Sequence, residues 1–324
     1  MEAEKKFNYV TEFQLCDRDH FLIVKGITVL VALIAHLCVD FWNIQALKSV
    51  EELAYAVFLV CSGFGVSESY FKKRGLAHYW ENKIIKIWMP SLVVLVIFSV
   101  VAGRLPISWI STWHIGLKGY FLYVLFAGYI VFWLVARLIP KKSIRVMTLF
   151  GVALVLFVFL PTSVPLKTLY FAFPVGVMFS QFGWKRPIRG WGWGLKLLLV
   201  MSCMIVTVGT FIAASLLHIP YVSQLLWGIC YIAVAATLCF GTYLLQVIPV
   251  FGVFVPLGLA SYGLYLLYDE VIAFAVGKND WRIIALIFAA LFIAVFVFTQ
   301  LHKLLVAWNK DVRRRKRTHI KGAM

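Results

Sequence analysis

Lys25, His36 and Asp40 fall on one face of a single apolar run. The run, Phe21 to Val39, is long enough to cross a bilayer. Lys25 and His36 are eleven residues apart. That is almost three helical turns, so their side chains project in nearly the same direction. Asp40 follows His36 at i+4 and stays on that side. A carboxylate can accept from one imidazole nitrogen and leave the other as a general base. Ionisable groups within a membrane helix are costly to keep and read first as functional. The chemistry that fits is removal of a proton from a hydroxyl, with Lys25 supplying a cation further along the stripe. The alternative for His36 is a polar contact between helices.

Other candidates flank this stripe. The run Phe58-Leu-Val-Cys-Ser-Gly-Phe-Gly65 offers small residues at Ser62, Gly63 and Gly65, which let a second helix or a thin ligand come close to the backbone. Lys83 and Lys86 are three apart at the start of the next apolar run. Two cations there suit an anionic ligand such as a phosphorylated cofactor, or serve simply as topology signals. Trp113 and His114 stand in a loop between runs and could line a groove for an acceptor, or anchor the interface. The six cysteines form no Cys-x-x-Cys pair, and no His-Glu-x-x-His motif is present. No metal is expected.

The elements that must hold these residues are membrane helices. Of 324 residues, 62% are hydrophobic and only 14% charged, and the mean hydropathy is +0.90. The expected fold class is all-α: a polytopic membrane protein of about ten helices. The spans are placed near 21–39, 53–67, 84–102, 119–139, 144–160, 166–182, 195–217, 222–247, 250–276 and 283–306. The net charge of +17 does not indicate nucleic acid, because the charges lie in loops rather than on a soluble domain. They sort by side instead. With the amino terminus inside, 22 Lys and Arg fall inside, six outside and three within spans. Both termini are therefore expected in the cytoplasm. Residues 1–20 form a cytoplasmic segment, 21–306 the transmembrane domain and 307–324 a basic tail that serves as a topology anchor or meets acidic membrane lipids.

At these positions the chain resembles the acyltransferase 3 family of integral membrane acyltransferases. Lys25-Gly26-Ile27 through Ala35-His36 matches that family's Arg-Gly-Ile run ending in His. Phe58 to Phe64 matches its Phe-x-Leu-Ser-Gly-Phe pattern. Lys83, Lys86 and Pro90 match a basic pair leading to a proline. Gly258-Leu-Ala-Ser261-Tyr262-Gly-Leu-Tyr265-Leu-Leu-Tyr268 matches a Gly-x-x-Ser-Tyr-x-x-Tyr-Leu-x-His motif. The segment Tyr170 to Phe182, with Phe173 and Gly176, is similar to an aromatic and glycine-bearing sixth helix. Three family arginines are lysines here, at 25, 83 and 86; the last histidine is Tyr268, and Leu22 replaces a common aspartate.

The resemblance implies transfer of an acyl group, usually acetyl, from acyl-coenzyme A to a hydroxyl of a cell-envelope glycan or lipid-linked saccharide. It implies His36 as the base, and Lys25, Lys83 and Lys86 on the donor side. It implies a bacterial cytoplasmic membrane and a link to glycan synthesis or export machinery. A proton-coupled transporter and a non-catalytic partner of a glycan synthase are the alternatives.

Overall fold

The computed structural model describes residues 15–44, 47–72, 79–90, 117–160, 167–182, 190–217, 219–245 and 254–275, with isolated positions elsewhere. No strand occurs among the described residues. The helices are α1 (Arg18–Trp42), α2 (Lys48–Lys72), α3 (Tyr79–Lys83), α4 (Leu117–Leu138), α5 (Lys142–Phe159), α6 (Ala172–Gln181), α7 (Trp193–Leu216), α8 (Pro220–Leu244) and α9 (Phe254–Ala275). Contacts divide the chain into two units. One is Met1–Leu76 with Thr112–Gly258; the other is Ala77–Ser111 with Leu259–Met324.

Among the described residues six helices are long and apolar enough to cross a membrane: α1, α2, α4, α5, α7 and α8. They coincide with six of the ten expected spans. The expected 166–182 span is built differently. It is a 3-10 turn, Lys167–Phe171, followed by the ten-residue α6. α9 takes the place expected for 250–276, and its Phe254–Leu267 portion is apolar. Most of 84–102 and of 283–306 lies outside the described residues.

Local chemistry sets the ends of α1. Asp17 caps the amino end by accepting from the His20 amide at 2.8 Å. Asn43, at φ 55°, takes the left-handed conformation that closes the other end. Pro220 opens α8, where a missing N–H costs nothing.

In the first unit α2 is central. Its Tyr55, Ala56, Val57 and Leu59 are fully buried, and it packs on α1, α4, α6 and α8. The contact with α6 is backbone to backbone. A Cβ at Gly63 would overlap the Phe173 carbonyl, and one at Gly176 would overlap the Val60 carbonyl. Small residues allow this approach where lipid offers no hydrophobic drive for helix association. A second such crossing joins α1 to the start of α9. A Cβ at Gly26 would strike Phe254, and one at Gly258 would strike Leu22. By contrast α7 buries little and presents Leu198, Met201, Ile205 and Val208 outward, as suits a lipid-facing helix.

Two basic side chains are buried in this unit. Arg145 donates to the carbonyls of Ile139 and Pro140 at 3.0–3.3 Å and lies over the Tyr70 ring. Lys167 donates to the Leu160 carbonyl at 2.6 Å, between the rings of Phe157 and Tyr221. Each cation satisfies loop carbonyls that would otherwise lack donors.

Candidate functional site

The stripe on α1 turns inward. Val29 and Ala32, between Lys25 and His36 on the same face, are buried. Val31 and Ile34, on the opposite face, are exposed. Lys25, His36 and Asp40 therefore project toward the inside of the first unit or its rim. At a rise of roughly 1.5 Å per residue, His36 lies about 16 Å from Lys25 along the axis.

His36 Nδ1 stands 3.6 Å from Asp40 Oδ2. That is within ion-pair range but beyond a hydrogen bond. Both imidazole nitrogens are withdrawn from solvent, whereas Asp40 is 36% exposed. Solvent thus reaches the carboxylate, and the imidazole sits just beneath it. At the other end of the stripe, Lys25 is half-buried, between the buried Val24 and Val29 on α1.

Ser62 and Gly63 serve packing. Ser62 shares a hydrogen bond with the Tyr129 hydroxyl of α4, and Gly63 forms the α2–α6 crossing. Of the approaches the sequence allowed at this motif, a helix takes the one at Gly63.

The second unit holds the other motif. Lys83 ends α3 and lies over the Tyr79 ring, 5.8 Å from its centroid. The chain then widens into a π turn, Ile84–Trp88. π turns often accompany functional positions. Only the backbone of Lys86 is described, within that turn. Tyr262 donates from its hydroxyl to the Ile87 carbonyl at 2.9 Å, so the Ser-Tyr motif of α9 braces this turn. Ser261 and Tyr265 are buried beside it. Trp113 and His114 lie outside the described residues.

Two features escaped the sequence reading. His20, fully buried, accepts from the Cys16 amide at Nδ1, 3.0 Å away. An amide can only donate, so the imidazole proton is on Nε2. From there it donates to the Cys239 carbonyl at 2.9 Å and the Thr242 hydroxyl at 3.0 Å. His20 thus ties the start of α1 to the end of α8. Tyr231 of α8 donates to Glu52 Oε2 of α2 at 2.7 Å, which gives a carboxylate in a membrane helix its partner. The hint for His20 was Asp17 three residues earlier, an N-cap signal. The hint for Glu52 was a carboxylate opening an apolar run.

Among the described residues no three His, Cys, Asp or Glu side chains gather closely enough to hold a metal ion. The stripe carries a cation and a shielded imidazole about 16 Å apart on one face of α1. Searches of curated proteins and of solved structures found no match. A family model of the acyltransferase domain matches residues 22–303, most of the chain and every motif described above. The chain is therefore a membrane acyltransferase and belongs to the acyltransferase 3 family.

Proposed function

We propose that this enzyme moves an acetyl or similarly short acyl group from acyl-coenzyme A to a hydroxyl of an exported or envelope glycan. The inward-facing stripe of Lys25 and His36, with Asp40 3.6 Å from the imidazole, carries this reading. His36 takes the proton of the acceptor hydroxyl as its oxygen attacks the thioester carbonyl. The carbon–sulfur bond then breaks and coenzyme A leaves with a proton. Asp40 orients the imidazole and stabilises it once charged. Lys25 attracts the donor along the stripe, Lys83 and Lys86 attract its phosphates, and the thioester carbonyl is attacked beside His36.

In this reading the chain crosses a bacterial cytoplasmic membrane ten times with both termini inside. The excess of Lys and Arg on that side supports the orientation. Lys25 then faces the cytoplasmic donor and His36 the outer acceptor. Lysine in place of arginine keeps the charge but gives up the two-pronged fit to phosphate.

The test is surface-glycan O-acetylation in cells that carry His36→Ala in place of the native enzyme. Loss of O-acetyl, with the protein still present in the membrane, is expected. Unchanged acetylation would reject the base. A separate measurement, acyl-coenzyme A binding to Lys83→Ala/Lys86→Ala, reads the donor side; unaltered affinity would reject those lysines.

A further inference from the structure

The second unit contains a turn that a regular helix does not make. α3 runs into the π turn Ile84–Trp88, where the Met89 amide donates to the Ile84 carbonyl, five residues back rather than four. The sequence explains the widening. Pro90 has no N–H to give to the carbonyl four residues earlier, that of Lys86, and its ring crowds that carbonyl. Tyr262 enters from α9. Its hydroxyl donates to the Ile87 carbonyl at 2.9 Å, 175 residues away in the chain. A side chain that reaches into a helix's hydrogen-bond ladder favours a distorted backbone over a regular one.

Both lysines of the proposed donor site stand on this segment. Lys83 is the last residue of α3, and its ammonium lies over the ring of Tyr79, one turn earlier, 5.8 Å from the centroid. Lys86 is the middle residue of the π turn. Residues three apart are close neighbours on a regular helix, and a wider turn changes that interval. Lysine is a flexible point charge without arginine's rigid fork. Convergence of two lysines on one phosphorylated donor is therefore left to the backbone that carries them. We propose that Tyr262 is a positioning residue for donor binding: its hydroxyl holds the π turn, and the turn sets Lys86 relative to Lys83 for the donor's phosphates.

α9 can serve as a fixed post for this bond, because Ser261, Leu264, Tyr265 and Leu266 around Tyr262 are all buried. Packing alone does not call for the hydroxyl. A phenylalanine would fill the same space, and what tyrosine adds is a bond to the residue directly after Lys86. A single hydrogen bond of this kind typically shifts an equilibrium by roughly twofold to tenfold, which bounds the effect expected on the donor.

The inference rests on the coenzyme A reading, and the experiment separates the two. The full-length protein in lipid nanodiscs is titrated with acetyl-coenzyme A. Tyr262→Phe is expected to weaken binding roughly fivefold. Pro90→Ala, which permits a regular turn, is expected to weaken it to a similar degree. Lys86→Ala weakens binding by itself. In that background Tyr262→Phe should cost less than about twofold more, because the hydroxyl acts through the lysine. A packing role would instead weaken binding equally in both backgrounds and would overturn the proposal, as would unchanged affinity in Tyr262→Phe or in Pro90→Ala. Unchanged affinity in Lys86→Ala would reject that lysine as a donor ligand, and absence of binding by the native protein would reject the coenzyme A reading. Either result removes the positioning role with it.

Discussion

His36 and Asp40 are separated by 3.6 Å, with the imidazole withdrawn and the carboxylate at the rim. A carboxylate in that position steers a base but does not touch the reacting atoms, so its loss should cost less than loss of the base. His36→Ala is expected to lower the transfer rate by roughly 10²- to 10⁴-fold. Asp40→Asn keeps the shape but removes the charge, and a loss of about tenfold is expected. Equal losses in a transfer assay on membranes would mean that Asp40 does more than orient. The stripe itself was readable from sequence, because eleven residues return to one helical face whatever the helix packs against. His20 was not readable. Its ring partners lie 219 and 222 residues away, and only the tertiary register of α1 against α8 brings them together.

At the scale of elements, the Ser62-Gly63-Phe64-Gly65 segment separates two kinds of glycine. Gly63 sits against the α6 backbone, while a Cβ at Gly65 would meet nothing within 4 Å. Gly63→Ala should push α2 from α6, with a cost of roughly 1–3 kcal/mol or more. Gly65→Ala should be neutral or gain up to about 1 kcal/mol from helix propensity. Thermal melting of the two variants in detergent checks the contrast; equal shifts would mean that the α2–α6 crossing is looser than described. The sequence showed that this run was small enough for close approach. It did not show which glycine was used or by what partner, because that depends on Gly176, 113 residues away. The expected 166–182 span shows the same limit. Its apolar content was legible, but not its division into a 3-10 turn and a short helix, where Lys167 donates back to the Leu160 carbonyl.

At the scale of the molecule, the side on which the α4–α5 link lies turns on the apolar stretch 84–102, which lies mostly outside the described residues. If that stretch crosses, the α1–α2 link follows one span and the α4–α5 link follows four. The two links then face opposite sides. If it does not cross, the α4–α5 link follows three spans and faces the same side as the first. Charge favours crossing: Lys141, Lys142 and Arg145 cluster at the α4–α5 link, and Arg145 is locked there by the Ile139 and Pro140 carbonyls. Ile44 and Lys141 are both exposed, so each accepts a reporter cysteine in a background with the partly exposed Cys38 and Cys203 changed to Ser. A maleimide that cannot cross membranes should label Ile44→Cys in intact cells and Lys141→Cys only after lysis. Labelling of both in intact cells would remove the third crossing. It would also place the basic α4–α5 link outside, against the charge rule that orients the whole chain. Reversed labelling would turn the stripe over and put His36, rather than Lys25, on the side where coenzyme A is made.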